Sequence, residues 1–199
     1  VYIVDTGNNA IRKVSTTGVI SRIAGRADGG AGYSGDGGAA LSARFNTPSA
    51  LTFDATGDLY IADTNNHVIR KITTATGFIS TIAGIGATAG NTGDGGQATS
   101  ATLRSPTSVA VDGAGNIYIA DSQNHRIRRI AASSGIITNF AGSATAESGF
   151  AGDGGAATAA LLDLPMGVSL NSSNNLCIAD SNNRAIRKVS ASDGSIITL

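Results

Sequence analysis

Four aspartates, Asp5, Asp63, Asp121 and Asp180, recur at spacings of 58, 58 and 59 residues. Each opens the same phrase: Asp63-Thr-Asn-Asn-His67 is matched by Asp121-Ser-Gln-Asn-His125, with Asn9 and Arg184 in the histidine place of the outer copies. Three more, Asp36, Asp94 and Asp153, each sit in a Gly-Asp-Gly-Gly run. Carboxylates and imidazoles brought together can move protons or hold a metal, and calcium takes carboxylate and carbonyl oxygens. A simpler use is open to all of them. An aspartate can lock its own turn by accepting backbone N–H groups, and the carboxylates at 5, 63, 121 and 180 can also satisfy a buried arginine of the strand that follows, Arg12, Arg70, Arg128 or Arg187. One carboxylate per glycine run, without a second at fixed spacing, falls short of a dedicated calcium loop. A residue that returns with every repeat serves the repeat, whereas catalysis needs one asymmetric constellation. No Ser–His–Asp order, paired cysteine or phosphate loop stands in the chain. The expectation is seven structural aspartates, no catalytic residue and no cofactor, with calcium as the alternative at the glycine runs.

The elements that must carry these residues follow from the period. Self-similarity at a fixed interval of this size marks a solenoid, propeller or array. The second copy divides into four short strands, 49–53, 59–62, 68–72 and 78–82, rich in Ile, Val, Thr and Tyr and bounded by Gly, Asn and Asp. That composition predicts antiparallel hairpins. No stretch holds a 3.6-residue apolar period, so a helical solenoid is excluded. Four-stranded sheets that are apolar on both faces are sealed by stacking around an axis, which predicts an all-β fold, the β-propeller. The blades fall at 1–25, 48–84, 106–142 and 165–199 with long loops between: three full blades plus the last three strands of a preceding one. A closed six-bladed ring at this period takes about 350 residues, so the missing blades are expected from a longer chain or from homo-oligomerisation.

From the aspartate of each Gly-Asp-Gly-Gly run to the next proline is always a step of twelve residues, at 36 to 48, 94 to 106 and 153 to 165. The stretches before those aspartates, 26–33, 85–92 and 143–150, diverge. The fixed half, such as 97–103, predicts one or two helical turns with Asp94 near the start. The divergent half is free to meet a partner, and its contact candidates are Arg26, Tyr33, Glu147 and Phe150.

Composition sets further bounds. Fourteen basic side chains balance fourteen acidic ones, so the basic excess of a phosphate-tracking nucleic-acid binder is absent. An RNA face would require Arg26, Arg44, Arg104 and Arg126 to cluster. No apolar run approaches the ~20 residues of a membrane-spanning helix. The single cysteine, Cys177, takes the place held by tyrosine in the other copies and reads as a packing thiol.

Tyr-Ile-Ala-Asp-x-x-Asn-His-x-Ile-Arg-Lys, with Gly-Asp-Gly-Gly and the Pro-x-x-Val-x-Val-Asp-x-x-Gly-Asn phrase, resembles the NHL repeat across essentially the whole chain. The resemblance implies blades of a propeller, commonly six-bladed, that serves mostly as a binding platform. The expected function is therefore a non-enzymatic, extracytoplasmic scaffold whose variable loops meet a protein or glycan. The alternative is part of a lyase or hydrolase propeller with an axial metal.

Overall fold

The computed structural model describes residues 1–199. Fifteen strands form four sheets in chain order. The first holds β1 (Tyr2–Asp5), β2 (Ala10–Val14) and β3 (Ile20–Ala24). The second holds β4 (Pro48–Phe53), β5 (Leu59–Asp63), β6 (Val68–Thr73) and β7 (Phe78–Ala83). The third runs through β8 (Pro106–Val111), β9 (Ile117–Asp121), β10 (Arg126–Ile130) and β11 (Ile137–Ala141), and the fourth through β12 (Pro165–Leu170), β13 (Leu176–Asp180), β14 (Ala185–Val189) and β15 (Ile196–Thr198). Every pairing is antiparallel between sequence neighbours, which is the up-and-down blade of a propeller. The strands run up to one residue beyond their sequence-read ends; β5 and its counterparts take in the recurring aspartate itself.

Strand β4 lies against β8, and β8 against β12, across the sheets. A line of hydroxyls joins them. Ser49 Oγ donates to the Thr107 carbonyl at 2.8 Å, and Thr107 Oγ1 donates to that of Met166 at 2.9 Å. Thr64 Oγ1 donates to the Pro106 carbonyl at 2.8 Å and Ser122 Oγ to that of Pro165 at 2.6 Å. Small hydroxyl residues on the first strand (Ser49, Thr107) and in the turn after the second (Thr64, Ser122) therefore tie consecutive sheets where they crowd most closely.

The core is three separate clusters, each between two consecutive sheets. Ile11, Phe45 and Ile61 lie in the first, Ile69, Leu103 and Ile119 in the second, and Ile127, Leu162 and Ile178 in the third, all fully buried. Apolar residues on both faces of a strand thus find cover only from the neighbouring blade, as in other stacked-repeat architectures.

Each long loop spans that same junction. The predicted helical turns are single 3-10 turns at Ala40–Ser42, Ala98–Ser100 and Ala157–Ala159. The Ala40 carbonyl accepts the Gly25 N–H of the preceding sheet, while the Ala40 N–H donates to Gly77 of the following one. Gly37 and Gly38 extend this pairing along Ile79, so the loop also covers the outer edge of β7. Covering an edge strand removes its open N–H and C=O groups from competition.

Candidate functional site

The loops after β5, β9 and β13 meet the long loops on one face. There the sequence signature resolves into bonds. Asp63 Oδ1 accepts the Asn46 N–H at 2.8 Å, and its Oδ2 accepts Asn66 Nδ2 at 2.8 Å. Asn66 Nδ2 also donates to the Gly32 carbonyl at 2.7 Å. Asp121 repeats this with Arg104 and Asn124, and Asp180 with Asp163 and Asn183. Each aspartate is completely buried and fixes the end of the long loop leading into its own sheet. In the first sheet, Asp5 is partly exposed and holds Asn8 and Arg12.

The histidines clip one sheet to the next. His67 Nδ1 accepts the Ser105 N–H at 3.1 Å, and His125 Nδ1 that of Leu164 at 3.1 Å. Asn9 Oδ1 does the same for Thr47 at 2.8 Å. The three donors precede prolines and have φ of 54, 49 and 49° for Thr47, Ser105 and Leu164. Left-handed backbone is costly for such residues, and a residue before proline ordinarily stays extended. The clip holds a conformation the local sequence disfavours.

The Gly-Asp-Gly-Gly carboxylates turn from their own glycine N–H groups to the strand arginines. Asp36 Oδ1 accepts Arg70 Nη2 at 2.6 Å, Asp94 Oδ1 accepts Arg128 Nη2 at 2.8 Å, and Asp153 Oδ1 accepts Arg187 Nη2 at 2.8 Å. The expected bonds to their own N–H groups are not formed, because the buried guanidinium is the stronger claimant. Nor does Asp94 cap the turn at Ala98, whose preceding residue makes no side-chain cap bond. Arg70, Arg128 and Arg187 also donate to loop carbonyls such as Ser34, Thr102 and Ala151. A register shift between Ile69 and Arg70, repeated between Ile127 and Arg128, lies beside the arginine in each case, as a bulge re-aims a side chain. Burial pushes the Asp63 and Asp121 carboxyls up to about 6 against the pull of their donors and arginines.

The third sheet departs from the pattern at Arg126, where the equivalent positions carry Ala10, Val68 and Ala185. Its Nη1 donates to Asp94 at 2.7 Å, but its buried Nε and Nη2 have no hydrogen-bond partner, Nε standing 3.7 Å from the Asp121 carboxylate. Arg26 and Arg44 bind Asp28 at 3.1 and 3.2 Å. With Arg126 enclosed, the four arginines of a possible RNA face do not share a surface.

Among the partner candidates, Arg26 and Glu147 are exposed on divergent loops. Tyr33 and Phe150 are exposed too, yet each ring lies over an arginine, Arg70 and Arg187, at 5.1 Å to the centroid. Tyr33 also donates to Asp36 at 3.0 Å and meets Thr81 Oγ1 at 2.9 Å. These rings cap the ion pairs and leave only their outer faces free. Asn91 takes the same place in the middle loop. Beside it, Asn91, Gly90, Arg104 and Asn124 line a cleft of about 280 Å³. No group of three or more His, Cys, Asp or Glu side chains converges as a metal cage would require.

Some of this escaped sequence reasoning although a signal was present. Asp36 to Arg70, Asp94 to Arg128 and Asp153 to Arg187 are all 34 residues apart. Tyr60 and Tyr118 donate to Asp54 and Asp112 at 3.0 and 3.2 Å, and where Cys177 replaces tyrosine, Asn171 replaces the aspartate. Cys177 itself is only half-buried.

Repeated four-stranded sheets, locked at one face by Asp–Asn–His and Asp–Arg bonds, define a β-propeller of the NHL type. The sequence pattern of the teneurin NHL domain matches residues 1–73 and 80–151, and the chain belongs to that family. It is 42% identical to human Teneurin-4 over 91 residues, which cover 40% of this chain and 3% of Teneurin-4. Human NHL repeat-containing protein 2 is 28% identical over 224 residues, covering 98% of this chain and 28% of its own length. The chain thus spans a small part of the relatives it matches. Among solved structures, streptogramin B lyase superposes with a TM-score of 0.62 at 14% identity, covering 99% of this chain and 49% of the lyase. At that identity the likeness is one of fold.

Proposed function

We propose that the chain is a non-enzymatic, extracytoplasmic binding platform that presents its divergent loops to a protein or glycan partner. One observation carries the reading. The signature Asp, Asn and His side chains on the loop face are committed to internal bonds, whereas Glu147, on a stretch that differs between copies, is exposed and unpaired, and the exposed Arg26 is held only by Asp28 of its own loop. Groups spent on holding loops in place are poor candidates for turnover, and varied side chains on rigid supports are how scaffold folds build binding faces. The cleft beside Asn91 offers the exposed Arg104 guanidinium, a donor of the kind that recognises hydroxyls or backbone carbonyls. The Asn171-Ser-Ser173 sequon lies on an exposed turn, in keeping with an extracytoplasmic setting.

Screening the folded chain against protein and glycan arrays tests this. The expected result is a ligand whose binding falls at least tenfold in Arg26→Glu, Asn91→Ala or Glu147→Lys while the melting temperature holds. Binding indifferent to all three, or turnover of a substrate by the purified chain, would overturn the reading.

A further inference from the structure

The face opposite the divergent loops carries a feature that breaks the repeat. Each junction between consecutive sheets brings together three equivalent positions there. One comes from the second strand of the earlier full blade pattern: Tyr2, Tyr60 or Tyr118. Another comes from the fourth strand: Ile23, Ile82 or Phe140. The last ends the first strand of the following sheet: Phe53, Val111 or Leu170. At the first junction Phe53 meets Tyr2 edge-on, with centroids 4.7 Å apart. At the third, Phe140 meets Tyr118 in the same manner at 4.9 Å. The two junctions thus supply a phenyl ring from different strands to one kind of place. The middle junction supplies none, since Ile82 and Val111 are both aliphatic.

A cleft of about 430 Å³ opens there, floored by Tyr60, Ile82, Ile117 and Ile130. The corresponding space beside Phe53 is about 200 Å³. Lys71 and Gln97 stand at the rim of the larger cleft, but both are engaged. Lys71 Nζ lies 2.8 Å from Asp58 and sits over the Tyr60 ring at 5.2 Å, and Gln97 Nε2 donates to the Ser134 carbonyl at 3.1 Å. A rim whose charge is already paired asks for no charged ligand, and an apolar floor favours an apolar one. The edge-to-face contact made twice by the chain itself says which geometry Tyr60 lacks.

We propose that this cleft is a binding site for a single uncharged aromatic ring, which completes the edge-to-face pair with Tyr60. The site is separate from the loop face and does not depend on the platform reading above.

The test is a titration of the isotope-labelled chain with phenol and with N-acetylphenylalaninamide, followed by methyl shifts of Ile82, Ile117 and Ile130, with cyclohexanol as the control of matching size. Saturable shifts confined to these methyls are expected, with cyclohexanol at least threefold weaker. Val111→Phe, which copies the first junction, should weaken binding at least tenfold and raise the melting temperature. Ile82→Phe, which copies the third, serves if Val111→Phe does not fold. The tighter of the two aromatic probes identifies the source of the ring: phenol for a free small molecule, the amide for a peptide side chain. No saturable shift in the wild type, equal binding of cyclohexanol, or undiminished binding by a folded ring-bearing variant overturns the proposal.

Discussion

Arg70, Arg128 and Arg187 are charged side chains with almost no exposed surface, and each draws an aspartate from a loop and another from its own sheet. Removing one partner of a buried pair leaves the other charge uncompensated, at about 3–5 kcal/mol. Arg70→Met should therefore lower the unfolding free energy by that amount in urea titrations. Arg126→Val should behave differently, since Asp94 and Asp121 both keep Arg128 and two buried donors of Arg126 make no hydrogen bond. A change within about 1 kcal/mol is expected, because replacing an imperfectly satisfied buried charge by an apolar residue is often neutral. The aspartates add a pH signature. Asp63, pushed up to about 6 by burial, holds a proton in the folded chain at pH values where the unfolded chain has released it. Stability from this group is thus full below the ordinary carboxylate pKa and lost as pH rises through about 6. Asp63→Asn removes that titration, so the stability difference between wild type and variant should shrink from pH 4 to pH 6.5, by up to about 3 kcal/mol. A gap that widens over this range, measured by urea unfolding at each pH, contradicts the assignment.

At the level of elements, strand positions were legible in the sequence because four copies of one alternation, each closed by Gly, Asn or Asp, leave little freedom. The arginine partners of Asp5, Asp63 and the rest were legible as a possibility. The pairing of Asp36 with Arg70 was not, since only the folded loop brings together side chains 34 residues apart. Local chemistry alone points Asp36 at its own glycine turn. The left-handed residues before Pro48, Pro106 and Pro165 ran against local preference and could be seen only with the clip that imposes them. Those clips make their own prediction. His67→Ala leaves the Ser105 N–H unpaired and should cost about 1–3 kcal/mol, while His67→Asn, which reproduces Asn9, should retain most of the stability; thermal melts of the two variants decide. Gly93 is equally constrained. Its φ is +97°, and a Cβ there would stand 2.5 Å from the Ala101 Cα, so Gly93→Ala should lower the melting temperature by several degrees.

For the whole molecule, the outermost faces differ from the inner ones. Ile3 is 38% exposed and Ile186 48%, whereas their counterparts Ile61 and Ile119, and Ile69 and Ile127, are at 0%. Exposed apolar surface on a sheet invites association. Sedimentation velocity should show reversible self-association of the 199-residue chain, reduced in the Ile3→Asp, Ile186→Asp double variant; a monomer at all concentrations would contradict this.

The Asn9, His67 and His125 clips all point the same way along the chain: an earlier blade supports the awkward corner of the one after it, and nothing is returned. Detaching the last blade frees a histidine that loses little, whereas detaching the first leaves the Thr47 N–H of a later corner unpaired, with only Asp63 and Asn65 of its own blade still holding that corner. Disassembly should then have a direction, fraying from the carboxyl end inward. Amide hydrogen exchange would record it as protection that falls from the second blade to the third, both of which are covered on two faces by neighbours.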